Sequence, residues 1–137
     1  PFLEFKDKWV ICLALTSNAG HADFQLGEYE GKKLYERVIE TVCKWGSEEN
    51  LMFVVGATRA QLVKEIREMI PNHFLLVPGV GAQGGSLQEI TEAAANEDVG
   101  LLVNSSRGIL YASSEDDYKE AAAAEAQKLA AEMASYL

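Results

Sequence analysis

Short apolar runs alternate with helical stripes four times along this chain, and that alternation constrains the fold more than any other feature. Val10–Thr16 is a compact apolar run, followed by a polar, glycine-bearing loop. Lys32–Trp45 then reads as a helix, because Leu34, Val38, Ile39, Val42 and Trp45 recur with 3.6-residue period before Gly46. The second unit pairs the strand Leu51–Val55 with a helix opened by Thr58 and Gln61 as a capping box. Its buried stripe is Leu62, Ile66, Met69 and Ile70, and Pro71 stops it. In the third, strand Phe74–Val77 leads through a glycine-rich loop to a short helix capped by Ser86 and Glu89 and carrying Leu87 and Ile90. The fourth strand spans Val99–Val103. After it, Ser114 with Asp117 caps a helix from about Glu115 to Ser135, with Tyr118, Ala122, Leu129, Met133 and Leu137 near one face.

Strands apolar on both faces, alternating with amphipathic helices, require a parallel sheet covered by helices. Four such units are half of an eight-unit (β/α)₈ barrel of typically ~250 residues. An open α/β sandwich of flavodoxin or Rossmann type is the alternative that the periodicity leaves open. No linker interrupts residues 1–137, so a single domain body is expected, and the alanine-rich tract Ala121–Ala126 is a strong helix former. The chain opens on Pro1 rather than Met, which reads as an interior start.

Charge excludes some functions. The 21 acidic and 12 basic residues give a net charge of −9, which argues against a nucleic-acid partner. No run of eighteen apolar residues suggests a membrane span. Cys12 and Cys43 form no C-x-x-C pair and read as free thiols of a cytoplasmic protein. No metal-ligand spacing and no nucleophile elbow is visible.

The loops carry the chemistry. In PGVGAQGG, Pro78–Gly85, the glycines permit close backbone approach, and a helix begins directly afterwards with free N–H groups suited to an anion. Gln83 adds an amide. One unit later, Arg107 follows a strand in NSSRG and offers a guanidinium fork for a phosphate. In barrels, loops after the last two strands commonly form a phosphate site. Thr16, Ser17 and Asn18 stand at the first strand end, where they suit the hydrogen-bonding edge of a ligand or cap their own backbone. His21 and Asp23 qualify for acid–base work by residue type alone, and a solvent-facing loop is the expected setting. His73, just before a strand, is expected at the opposite, stability-bearing end.

These segments resemble orotidine 5′-phosphate decarboxylase, in its longer bacterial-type branch. The resemblance runs through LALTSNAG (Leu13–Gly20), VVGAT (Val54–Thr58), LLVPGVGAQGG (Leu75–Gly85) and LVNSSRGILYA (Leu102–Ala112), and covers nearly the whole chain. It implies a (β/α)₈ barrel, this chain being the carboxy-terminal half, working as a homodimer without a cofactor. The implied activity converts orotidine 5′-monophosphate to UMP and CO₂. By the same resemblance, Ser17 contacts the pyrimidine with Asn18 beside it, Gln83 reaches the 5′-phosphate from a loop containing Gly81 and Ala82, and Arg107 with the Ser106 backbone binds phosphate. The family's catalytic Lys and Asp residues have no match here. Lys6, Asp7 and Lys8 precede the first strand and read as an exposed charged turn. The chain alone is therefore expected to be inactive and to need an amino-terminal half. A non-catalytic phosphate-ligand-binding α/β module is the alternative.

Overall fold

Leu51–Val55 is apolar throughout and ends in two β-branched valines, and it forms a central strand (β4) with neighbours on both edges. The computed structural model describes residues 1–81 and 85–136. Around β4, the strands β1 (Val10–Leu15), β5 (Phe74–Pro78) and β6 (Leu101–Asn104) complete a four-stranded sheet in the order β1-β4-β5-β6. All three pairings are parallel, with Leu13 opposite Val54, Val54 opposite Leu76 and Leu76 opposite Leu102. Between β1 and β4 the chain adds the short helix α1 (His21–Phe24) and an antiparallel ladder of β2 (Glu28–Tyr29) with β3 (Lys32–Lys33). Helices α2 (Leu34–Val42), α3 (Ala60–Met69) and α4 (Leu87–Ala94) follow β3, β4 and β5; after β6 come α5 (Ser106–Leu110) and α6 (Tyr118–Ala134).

Each large strand adds beside its predecessor, so the order never reverses as it would in a doubly wound sheet. Sequential parallel strands with interleaved helices make this a partial (β/α)-barrel fold, and the open-sandwich alternative is set aside.

The two faces of the sheet differ sharply. Toward the helices, Phe53, Val55, Leu75 and Val77 pack in a fully buried core with Ile39, Val63, Ile66 and Ile90. On the other face, Ile11 (44%), Leu13 (54%) and Leu102 (51%) remain exposed, although register places them beside Met52, Val54 and Leu76. Trp9 partly covers that side by standing edge-on to Phe74.

Several boundaries depart from expectation. The first long helix starts at Leu34 because Lys32 and Lys33 pair with β2, and its cap is the Glu36 carboxylate accepting the Lys33 N–H at 2.6 Å. Its buried stripe is Tyr35, Ile39 and Val42, while Trp45 lies past the helix end and is 64% exposed. The Thr58–Gln61 capping box does not form: Arg59 is the N-cap of α3, and the Gln61 amide donates to Glu65 instead. In α3, Val63 and Ile66 face the core together with Arg67, and Ile70 joins them just past the helix end, while Leu62 and Met69 are only half-buried. The fourth strand begins at Leu101, since Val99 and Gly100 take positive φ in a turn closed against Asn96. Ser86 does cap α4, accepting the Glu89 N–H. Before α6, Ser113 rather than Ser114 takes the Glu115 N–H and donates to Asp117, and the helix starts three residues later than expected. Both cysteines are free thiols.

Candidate functional site

Parallel strands run in one direction, so the loops that follow them collect at one end of the sheet. Ser17, the Gly56–Thr58 turn, the Pro78–Gly81 turn and the Ser105–Arg107 segment all emerge there. Direct contacts bind these loops to one another. The Gly56 N–H donates to Leu15 O at 2.9 Å and the Ala57 N–H to Pro78 O at 3.2 Å. The Gly79 N–H donates to Asn104 O at 3.2 Å, and the Ser105 hydroxyl to Val80 O at 3.1 Å.

Two glycines are required by this packing. A Cβ on Gly56 would lie 2.6 Å from the Ser17 nitrogen, and one on Gly85 would lie 2.6 Å from the Ala57 Cβ. Gly79 and Gly81 adopt φ of 95° and 75°, the left-handed region, and the Gly81 N–H closes the loop onto Gly85 O.

Beyond that turn, Pro78, Gly79, Asn104, Ser106 and Arg107 line a small hollow of about 60 Å³. Arg107 is exposed on α5, and no ion pair to it is found among the described residues. Its planar fork of five donors has the geometry that matches an anionic group such as a phosphate. A larger hollow of about 410 Å³ adjoins this one, sharing Val80 and Ser105. The first turn of α4 faces it through Ser86 and Leu87, but α6 contributes Glu125 and Glu132 against a single Lys128. Two carboxylates to one ammonium disfavour a phosphate there, so the Arg107 hollow is the better anion site despite its size. The expected convergence of the α4 start with Arg107 is accordingly only partial, because the two line neighbouring hollows.

The expected site residues are placed as follows. Ser17 is half-buried and Asn18 exposed at the end of β1; Gly81, Ser106 and Arg107 are exposed at the same end of the sheet. Ala82 and Gln83 lie outside the described residues. Lys6, Asp7 and Lys8 are exposed, with Lys8 paired to Asp7, as a charged turn should be. His73 lies at the start of β5, the end opposite the site, and burial pushes its imidazole pKa down.

Two expectations are corrected. His21 is not solvent-facing but 4% exposed, its ring folded back onto its own loop with Nδ1 2.6 Å from Asn18 O. The NSSRG segment is not an open loop: Ser106–Leu110 forms the helix α5, with the Ile109 N–H donating to Ser105 O. Sequence reasoning also missed Gly56 and Ser105. A glycine directly after a strand was the available signal for the first; a serine among serines gave none for the second.

Among the described residues, no group of three His, Cys, Asp or Glu side chains could hold a metal ion. No described helix is long and apolar enough to cross a membrane.

Comparison with known proteins follows the same outline. No family model matches the chain. It is 55% identical over 137 residues to the orotidine 5′-phosphate decarboxylase of Christiangramia forsetii, covering all of this chain and 50% of that protein. To the Phocaeicola vulgatus protein of the same name it is 52% identical over 134 residues, covering 97% of this chain and 49% of that one. Among solved structures, Leishmania donovani OMP decarboxylase superposes with a TM-score of 0.81 at 32% identity, over 98% of this chain and 50% of the other. The match is thus at the level of that family, and the chain spans about half the length of the curated relatives it matches.

Proposed function

We propose that this chain forms the carboxy-terminal four units of an orotidine 5′-phosphate decarboxylase of the bacterial-type branch. In the complete barrel it grips the phosphate and pyrimidine of orotidine 5′-monophosphate, which is converted to UMP and CO₂. The observation that carries this reading is the gathering of Ser17, the Gly79–Gly81 turn and the exposed Arg107 at one end of the sheet. The high identity to proteins of that name supports it.

In this reading Arg107 and the Ser106 backbone hold the 5′-phosphate, and Gln83, with Gly81 and Ala82 in its loop, closes over it. Ser17, flanked by Asn18, meets the pyrimidine. The proton-transferring Lys and its Asp neighbours belong to an amino-terminal half, so this chain contributes binding energy remote from the reacting carbon. That half also covers Ile11, Leu13 and Leu102 on the open face and pairs with the β1 and β6 edges. The complete subunits form a cytoplasmic homodimer and use no cofactor.

Reconstitution tests the division of labour. This chain alone should release no CO₂ from orotidine 5′-monophosphate, and mixing it with the four amino-terminal units should restore turnover. Turnover by the companion-free chain would reject the proposal, as would a reconstituted barrel that binds UMP no better than uridine.

A further inference from the structure

Ser17 sits between two residues that are each held by a side chain reaching back from one end of α1. On one side, the Thr16 N–H donates to Gln25 Oε1 at 2.8 Å, and the Thr16 hydroxyl donates to the same oxygen at 3.3 Å. On the other, the carbonyl of Asn18 accepts from His21 Nδ1 at 2.6 Å and from the His21 backbone N–H at 3.1 Å. A carbonyl only accepts, so the His21 proton lies on Nδ1. From the third side, Gly56 lets the neighbouring turn press against the Ser17 backbone, with no room for a Cβ.

The brace is itself anchored. The Gln25 carbonyl takes the N–H of Tyr35, a fully buried core residue of α2, and the Gln25 N–H donates to His21 O. Its rigidity therefore reaches Ser17 from the core through two short links. His21 is 4% exposed, and its Nε2 is buried with no partner among the described residues. Leaving a buried polar atom unsatisfied is destabilising. A phenyl or leucyl group would fill that space without this cost, so the ring is explained by what Nδ1 holds.

We infer that His21 and Gln25 are positioning residues that set the place of Ser17 against the pyrimidine of the ligand. The inference rests on the reading of Ser17 as the base contact. Neither side chain need touch the ligand: each fixes a backbone group one residue away from Ser17, and the serine inherits the geometry. A displacement of about 1 Å at such a contact is enough to lose most of it.

The test uses the complete barrel and two probes, UMP and ribose 5-phosphate, which share the phosphate but not the base. His21→Leu and Gln25→Leu should each weaken UMP roughly tenfold, the worth of about one hydrogen bond, and leave ribose 5-phosphate unchanged. His21→Asn keeps a donor within reach of the Asn18 carbonyl and should restore most of the UMP affinity. In a Ser17→Ala background, His21→Leu should add almost nothing, because the contact it positions is already gone. Full additivity in that background, or equal losses for both probes, would overturn the inference. Gln25→Leu carries the same test independently where His21→Leu does not fold. A Ser17→Ala variant with unchanged UMP affinity would remove the base contact and this inference with it. A Ser17→Ala variant that loses UMP selectively while both brace variants bind like the parent would sink the inference alone.

Discussion

Two arginines occupy opposite ends of the same parallel sheet, and their surroundings could hardly differ more. Arg67, on α3 at the end where β5 and β6 begin, is 8% exposed and donates to five backbone carbonyls. Its Nε reaches Ala94 O at 2.7 Å, Nη2 reaches Gly100 O at 2.9 Å, and Nη1 serves Ile70, Pro71 and His73, the last at 2.6 Å. Arg107, at the end where the strands finish, is exposed and pairs with no carboxylate among the described residues. One guanidinium is engaged by backbone carbonyls through all three of its nitrogens; the other meets no carboxylate among the described residues. A densely hydrogen-bonded end of the sheet thus stands opposite the end proposed for the ligand, the division that barrels of this kind generally show.

Arg67 explains how the stable end is built. Ile70 O and Ala94 O come from the last turns of α3 and α4, whose carbonyls have no partners within their own helices. A cation there also meets the negative ends of two helices. Burial lowers the Arg67 pKa, yet five oxygens replace its hydration shell. Replacing Arg67 with Met should therefore destabilise the complete barrel by roughly 3–5 kcal/mol, because several buried carbonyls lose their donor at once. Arg67→Lys should recover little, since one ammonium cannot span carbonyls on both sides of the fork. Chemical denaturation measures both, and UMP affinity of the folded fraction should stay at the parental value. A stable Arg67→Met variant with weakened UMP binding would reverse the assignment of the two ends.

The mirror experiment is Arg107→Ala. It should weaken UMP by about 2–5 kcal/mol, leave uridine binding almost untouched, and change stability by less than about 0.5 kcal/mol. Calorimetric titration with the two ligands separates these outcomes, and equal losses for both would reject the phosphate role. Gln83→Ala should show the same selectivity with a smaller loss, because a neutral amide makes a weaker contact than a guanidinium.

How much of this contrast was legible in the sequence follows from its physics. The four strands were legible because apolar runs and helical stripes alternate, and Arg107 because it follows a strand in a polar loop. Arg67 was not. At its position in α3 a charged side chain reads as solvated, and only the convergence of carbonyls from residues as distant as Gly100 makes a buried site for it. His21 was misread for a related reason: its burial depends on Asn18, three residues back, turning its carbonyl toward the ring. The α2 boundary was misplaced because a two-residue β ladder took Lys32 and Lys33 from the helix, which periodicity does not register. Local pattern revealed the elements; contacts between them decided which polar groups are enclosed.

A glycine at the strand-exit end, Gly56, gives an intermediate effect. Gly56→Ala places a Cβ against the Ser17 backbone, and neither wall is the far end of a flexible side chain. The turn must shift, at a cost of about 1–3 kcal/mol. Because the displaced atoms belong to Ser17, at the end proposed for the ligand, UMP affinity should fall along with stability, which distinguishes this variant from Arg67→Met. Parental UMP binding in a destabilised Gly56→Ala protein would place the turn with the stable end instead.

The smallest expected effect is a pH dependence confined to the Arg67 end. His73 is 8% exposed, packs against Phe53 at 5.5 Å between ring centroids, and passes its carbonyl to Arg67. Burial lowers its pKa below the ordinary 6.5; Glu48 opposes that shift and the Arg67 charge adds to it. The folded protein therefore holds this imidazole neutral where the unfolded chain would protonate it. The associated stability is fully present above pH 6.5 and is lost as pH falls from there toward the depressed folded value. Most carboxylates titrate below this window, and the Cys43 thiol, raised by burial, titrates above it. His73→Phe keeps a ring against Phe53 but has no proton to gain, so its stability should fall less between pH 6.5 and about 5 than that of the parent. Melting curves across that range read the difference directly, and parallel profiles for the two proteins would remove His73 as the cause. UMP affinity, measured at the same pH values, should be equal in the two proteins, because the group that titrates lies at the end of the sheet where Arg67, and not Arg107, is held.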